Sequence, residues 1–307
     1  MIHIDDLQVR YGSHLALDLE GPITIAPGER VGIIGSNGAG KTTLLNALLK
    51  LVPSRGKFRI DTPIPQIAVH LQQNNYAETM AVKHVMETVT GTRVGRDKKL
   101  DELIEFFAFG PSLKKRFHNL SGGQKQRMTL ILVLYQDAPL VFFDEVTSGL
   151  DYESRQGLVD LLIDWYDRSN TTLCYITHYY EELEKLADKI LYLDEGRLIA
   201  FGDKEDLFSR FVGRSVYVLS RTPEHEQLIQ GFAELKAPAH LIALSSPDVE
   251  TDMQISTRLN QANVNYKRST SDVEIMSFNA KAAMHEQNGT DSSADSKSHH
   301  NPERRPA

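Results

Sequence analysis

The run from Gly35 through Ser36, Asn37, Gly38, Ala39, Gly40 and Lys41 to Thr42 follows the apolar stretch RVGIIG and leads into the amphipathic stretch LLNALL. A strand, then G-x-x-x-x-G-K-T, then a helix restricts this chain more than any other feature. Glycines at this spacing let the backbone wrap a phosphate chain with its N–H groups inward, and a helix start adds its positive dipole end. Lys41 then neutralises β- and γ-phosphates, and the Thr42 hydroxyl is a ligand for Mg²⁺. Thr43 completes the nucleotide-contacting set. The bland alternative is a tight strand-to-helix turn, but motif spacing and context together favour a nucleotide site.

Two further strands end in groups suited to such a site. The apolar run LVFF closes on Asp144 and Glu145. Ligands of a parallel sheet bind beyond the carboxyl ends of its strands, where these carboxylates fall. Asp144 is read as holding Mg²⁺ through water and Glu145 as polarising the attacking water. An acidic pair at a strand end is otherwise a solvated turn. The run LCYITH ends in His178, which reaches the γ-phosphate edge if its strand joins the same sheet. It is otherwise a structural or solvated histidine, and spacing alone leaves both readings open.

The rest of the chain is organised around this core. Alternating apolar residues in IHIDDLQVR and onward to about Ile25 predict antiparallel strands. Strands are expected at Lys57–Ile60 and Ile67–Leu71, a helical stretch from Met80 to Phe117, and a helix over Gln124–Tyr135. The alternation of helix and strand then continues to Phe201, which predicts βαβ units and a mainly parallel sheet. After about Val212 a new pattern starts: SVYVLS, a helix near Glu224–Leu235, HLIALS, another helix and VEIMSF. Residues 1–212 are therefore expected to form one domain and 213–279 a small α/β domain. Residues 280–307 are polar and almost without large apolar side chains, which predicts a disordered tail.

Composition narrows the function. A formal charge of −7, from 41 acidic against 34 basic residues, opposes general nucleic-acid binding. Cys174 is the one cysteine and sits in an apolar run, so an internal disulfide is excluded and a buried inert thiol in a reducing setting is expected. No stretch approaches the ~20 apolar residues of a membrane-spanning helix, and the N-terminus lacks the pattern of a signal peptide. Any membrane role is expected to be peripheral.

At NLSGGQKQRMTLILVLYQDAPLVFFDEVTSGLD the chain resembles the nucleotide-binding subunits of ATP-binding cassette (ABC) transporters. Leu120-Ser121-Gly122-Gly123-Gln124 is similar to the family's signature motif and falls between Thr42 and Asp144, as it does in the family. The resemblance covers about residues 1–212. It implies a P-loop NTPase cassette with a mainly parallel core sheet, an antiparallel β subdomain and a short helical subdomain, followed here by a small C-terminal α/β domain.

The resemblance implies roles residue by residue. Tyr11 matches the aromatic that stacks on adenine, and Gln72 the glutamine that senses Mg²⁺ and the membrane partner, with Gln73 the competing choice. Ser148-Gly149-Leu150-Asp151 matches the loop that communicates across a dimer, and His178 the switch histidine beside the catalytic Glu145. Ser121, Gly122, Gly123 and Gln124 open a helix whose N–H groups form a second anion site. In the family this site covers the γ-phosphate held by a second cassette packed head to tail, so that ATP closes a dimer and hydrolysis releases it.

Two departures stand out. Val146 follows Glu145 where the family has proline, and the interval between Gln72 and Ser121 is short. Hydrolysis is expected to survive, with the following turn slightly altered. In the compact helical subdomain Met80, Val85, Phe106, Phe107 and Phe109 are expected mostly in the core, with some lining a groove for the membrane partner. The segment from Thr177 to Leu207 is similar to that of drug- and export-type cassettes, and residues from Ser215 onward to the C-terminal extension many of them carry. The expected function is ATP hydrolysis that powers export through a separate membrane permease. ATP and Mg²⁺ are the cofactors, a second cassette is a partner, and the location is cytoplasmic at the inner face of the membrane. Alternatives are the ATPase subunit of a metal or small-solute importer, or a soluble ABC ATPase in translation or DNA maintenance.

Overall fold

Apolar positions near the N-terminus step from Ile2 and Ile4 to Leu7 and Val9, which breaks strict alternation. All four are nonetheless buried in strand β1 (Ile2–Tyr11), because a register shift between Ile4 and Asp6 absorbs the extra residue. Such a bulge turns both halves of the strand toward one face. β1 runs antiparallel to β2 (His14–Ile25) around a turn at Gly12–Ser13.

The computed structural model describes residues 1–71 and 76–295, in two units, Met1–Asp203 and Lys204–Ala307. In the first unit β2 is followed by β3 (Arg30–Ile34), α1 (Lys41–Leu48), β4 (Ser54–Arg55), β5 (Phe58–Ile60) and β6 (Ile67–His70). Next come α2 (Val82–Thr90), α3 (Lys98–Phe106), α4 (Gly122–Tyr135), β7 (Leu140–Asp144), α5 (Tyr152–Tyr166) and β8 (Thr172–Ile176). The unit ends with α6 (Tyr180–Leu186), β9 (Lys189–Asp194) and β10 (Arg197–Asp203).

One mixed sheet runs β4-β1-β2-β10-β9-β3-β8-β7-β6, with β5 also paired to β1. Strands β6, β7, β8, β3 and β9 are mutually parallel, while β1, β2, β4 and β5 are antiparallel and join the core through β10. Parallel strands are covered on both faces, which explains their unbroken apolar runs. Every residue of β7 and of β8 is buried. Each large side chain so buried contributes about 1.5–3 kcal/mol of transfer free energy.

The helical part is short, as expected, with α2 and α3 packed on α4. Phe107, Phe109 and Val85 are core residues, Phe106 is half-buried, and Met80 is exposed. Among the described residues no helix is long and apolar enough to cross a membrane. Cys174 is fully buried, and burial pushes its thiol up to about 12.

The second unit comprises α7 (Lys204–Phe211), β11 (Ser215–Ser220), α8 (Pro223–Leu228), β12 (Glu234–Leu235), β13 (Leu241–Ser246), α9 (Val249–Gln261), β14 (Tyr266–Ser269) and α10 (Val273–Asp295). Its antiparallel sheet is ordered β12-β13-β11-β14 around Tyr217, Leu219, Ile242, Leu244, Ile255 and Leu259. The helix read over Glu224–Leu235 is shorter here. Gly231 adopts φ +93°, which ends the helical path and lets Glu234–Leu235 pair with β13. The division falls at Asp203, ahead of the Val212 boundary read from the sequence, so α7 belongs to the second unit. Helix α10 continues to Asp295, past residue 280 where composition predicts a tail. The remainder of that tail, 296–307, lies outside the described residues.

Candidate functional site

The phosphate loop joins β3 to α1. Gly35 has φ +154°, and a Cβ there would collide with the Leu193 carbonyl oxygen of the neighbouring strand. Gly40 has φ +98°, and its Cβ would lie 2.8 Å from Leu17 Cδ1. The loop is therefore pinned against β2 and β9 by positions that only glycine fills without strain. Inside it, the Ala39 amide donates to the Ser36 carbonyl at 3.0 Å, and the Ser36 hydroxyl donates to Asp194 at 3.2 Å. Lys41, 7% exposed, folds its ammonium over the loop and donates to the carbonyls of Gly35 at 2.7 Å and Ser36 at 3.0 Å. Burial lowers its pKa, against the pull of Glu145 and Asp144.

Strand β7 brings the first carboxylate to this loop. The Thr42 hydroxyl donates to Asp144 Oδ2 at 3.2 Å. Asp144 is 4% exposed, and burial raises its pKa, with Glu145 adding to the rise while Thr42 and Lys41 oppose it. A hydroxyl and a buried carboxylate side by side are a hard-oxygen donor set of the kind a divalent cation takes. Among the described residues no cluster of three or more His, Cys, Asp or Glu side chains forms a protein-only metal cage.

Glu145 leaves the strand in the left-handed region, at φ +49°. Its amide donates to the Ile176 carbonyl of β8 at 2.9 Å, so the turn is tied to the next strand. Holding a non-glycine residue there costs on the order of 1 kcal/mol, a strain that clusters at functional sites. The result is that Glu145 Oε1 lies 3.6 Å from His178 Nδ1. His178 follows β8 and has a 42% exposed side chain, against 16% for Glu145. The alternative left open by the spacing is thereby narrowed: the strand of His178 does lie in the same sheet, and the ring meets the second carboxylate. Val146, where the family has proline, is fully buried.

The signature residues form a helix start of their own. Ser121 caps α4: its Oγ accepts from the Gln124 amide at 3.3 Å, and Gln124 Oε1 accepts from the Ser121 amide at 3.2 Å. Gly122 and Gly123 lie against Leu150 and Ser154, where Cβ atoms would still fit at 3.7–4.0 Å. Beside them a cleft of about 220 Å³ is lined by Ser121, Gly123, Gln124, Arg127, Leu150 and Ser154. Asp151 caps α5, accepting from the Ser154 amide at 2.9 Å and hydroxyl at 2.8 Å. Among the described residues the polar contacts of Ser121–Gln124 are local or with Lys115, and residues 35–43 take no part in them.

Tyr11 ends β1 and is 46% exposed. Gln72 and Gln73 lie outside the described residues. Two groups went unread in the sequence. His70 ends β6, is 1% exposed, and pairs Nε2 with Gln126 Oε1 of α4 at 3.0 Å. Burial drives its pKa down to about 4. Glu182 is also 1% exposed, at the centre of three hydroxyls. In the sequence Glu182 stands in the acidic run YYEELEKLA and His70 closes the run IAVH, and only the fold shows that both side chains face inward.

Comparison with known proteins agrees with this geometry. Residues 22–148 match the ABC transporter family. The chain is 29% identical over 279 residues to Nod factor export ATP-binding protein I of Rhizobium etli, covering 85% of this chain and 86% of that protein. It is 31% identical over 270 residues to Daunorubicin resistance ATP-binding protein DrrA3 of Streptomyces coeruleorubidus, covering 83% and 81%. Methionine import ATP-binding protein MetN 3 of Shouchella clausii is 27% identical over 259 residues, covering 77% and 76%. Among solved structures, an ATP-binding subunit of an ABC transporter superposes with TM-score 0.60 at 21% identity, covering 69% of this chain and 93% of that one.

Proposed function

The chain belongs to the ABC transporter family, and from that premise we propose how its residues divide the work of an ATPase that powers export. It is an ATP-binding subunit whose hydrolysis drives transport. Gly35 to Thr43 cradle the phosphates, with Lys41 leaving its two carbonyl partners for phosphate oxygens. Thr42 and Asp144 would hold Mg²⁺, which would supply charge neutralisation on the phosphates. Glu145 takes the proton from the attacking water, and His178 fixes the orientation of Glu145 and of the γ-phosphate. Tyr11 stacks on adenine.

The observation that carries this reading is the pairing of Thr42 with Asp144 at 3.2 Å beside the pairing of Glu145 with His178 at 3.6 Å. Metal-side and water-side groups thus stand at adjacent residues of one strand end. The capped start of α4 and the loop Ser148–Asp151 are read as the surface offered to a second cassette. Ser121, Gly122, Gly123 and Gln124 would complete the nucleotide site held by that partner. A separate membrane permease receives the motion, Gln72 being the residue expected to sense it, and the subunit sits at the inner face of the membrane.

Export is the direction favoured on coverage, a relative named for export matching 85% of the chain. A relative named for import matches 77% at 27%. The reading is tested with Glu145→Gln. It should bind Mg-ATP, hydrolyse it slowly, and shift to the mass of a dimer in light scattering. Hydrolysis as fast as the parent's would remove Glu145 from its role. Direction is tested by whether the chain copurifies with a polytopic membrane protein that moves cargo outward in vesicles of known orientation.

A further inference from the structure

Helix α6 starts just after Tyr179, and its first turn carries Glu182 into the interior. The Glu182 carboxylate accepts hydroxyl hydrogen bonds from Thr147 at 2.6 Å, Tyr175 at 2.9 Å and Thr177 at 2.8 Å. Thr147 lies two residues beyond Glu145, and Thr177 immediately precedes His178. One buried carboxylate therefore ties together the two loops that hold the water-side pair. The Thr177 hydroxyl also accepts from the Tyr179 amide at 3.1 Å, which fixes the backbone on the far side of His178.

A second link reaches the His178 ring itself. Arg155, in the first turn of α5, has a side chain only 13% exposed. Its guanidinium centre lies 3.9 Å from the Tyr179 ring centroid, its Nη2 3.6 Å from Glu181 and its Nε 3.9 Å from Glu182. The same Tyr179 ring meets the His178 ring, with centroids 4.1 Å apart and planes inclined by 39°. A half-exposed histidine has a broad terminal torsion, so a ring face beside it decides whether Nδ1 points to Glu145. Arg155 in turn is fixed to the loop before it, its amide donating to the Asp151 carbonyl at 2.9 Å.

We propose that Tyr179 is a positioning residue for His178, held in place by Arg155, and that this contact ties the Glu145–His178 pair to the loop Ser148–Asp151. The chain of contacts runs Asp151, Arg155, Tyr179, His178, Glu145. A displacement of the loop by a second cassette shifts the guanidinium, the tyrosine ring follows, and the imidazole changes its aim at the carboxylate. The proposal rests on the reading of Glu145 and His178 as groups of ATP hydrolysis. Tyr179 touches no reacting atom, and its ring face rather than its hydroxyl does the positioning.

The test uses the full chain, with ATP hydrolysis in steady state and in single turnovers so that slow variants stay measurable. Tyr179→Phe keeps kcat within about twofold, because the ring face remains. Tyr179→Leu and Arg155→Met each lower kcat about tenfold with KM for ATP nearly unchanged, as expected for lost orientation rather than lost binding. In a His178→Ala background Tyr179→Leu has no further effect, since there is no ring left to aim. Full activity in Tyr179→Leu, or an equal loss with and without His178, overturns the proposal. Should Tyr179→Leu not fold, Arg155→Met is judged by the same dependence on His178. The underlying reading fails separately: Glu145→Gln hydrolysing like the parent removes it, whereas a slow Glu145→Gln beside a fully active Tyr179→Leu removes only the role of Tyr179.

Discussion

In the first unit Lys41 and Asp144 are almost wholly buried, and burial pushes the lysine down and the carboxyl up. In the second unit the most elaborate carboxylate is Asp252, which accepts two hydrogen bonds from Arg268 at 2.9 and 3.0 Å and one from Ser215 at 2.6 Å. Burial works against Asp252 too, but Arg268, Ser215 and Tyr217 outweigh it and hold its carboxyl at about 2. The phosphate loop and the strand end beside it store charge that the surrounding side chains leave poorly compensated, whereas the Asp252 cluster neutralises its charge internally. Poor compensation is costly unless a ligand supplies the remainder, which is why it marks the nucleotide site. Internal neutralisation marks scaffolding.

The largest effect that would break this contrast is on hydrolysis. Glu145→Gln should lower the rate by about 10²–10⁴-fold, whereas Asp252→Asn should leave it unchanged. A phosphate-release assay on both variants decides, and comparable losses would erase the distinction between the units. Next in size is a pH effect confined to the first unit. His70 has a folded pKa of about 4, below the ordinary 6.5, so the unfolded chain binds the extra proton between those values. Stability is therefore full above pH 6.5 and falls as pH drops toward 4, by up to about 3 kcal/mol. Denaturant midpoints across that range should show the loss, and His70→Phe should remove it.

Smaller changes sharpen the comparison. Lys41→Ala should weaken ATP binding by about 10–100-fold, the worth of charge-assisted hydrogen bonds to the phosphates. Titration with a fluorescent ATP analogue measures this directly. Asp252 loses its contribution in the same direction as His70, but at lower pH. Its folded pKa is depressed from 3.8, so its contribution is present above that value and is lost as pH falls through about 2. Allowing for solvent screening, the loss is about 1–2 kcal/mol. Hydrogen exchange followed by fragment should thus show the first unit opening before the second on acidification.

The phosphate loop was legible because its glycines answer a backbone requirement that no other residue meets, as Gly35 and Gly40 show against Leu193 and Leu17. Asp144 and Glu145 were legible because a parallel strand has only one end at which ligands gather. The parallel sheet itself followed from the alternation of helix and strand, in which LVFF and TLCYI are two of the strands. What sequence did not disclose was carried by side chains that meet only after folding. Glu182 stands in an acidic run, YYEELEKLA, that reads as a solvated helix face. Its burial depends on hydroxyls from two separate segments, Thr147 on one and Tyr175 and Thr177 on the other. His70 was hidden in the same way, since Gln126 reaches it from a helix far along the chain. The shortened helix after Pro223 turned on the single torsion of Gly231, which a helical pattern cannot reveal.

The Lys41 ammonium bonded to the carbonyls of Gly35 and Ser36 acts as an occupant of its own receptor. Each nucleotide that enters must displace this tethered rival, so the measured affinity is a difference between two cation–oxygen sets rather than the strength of one. Side-chain rotation takes picoseconds to nanoseconds, so the exchange adds no delay to capture.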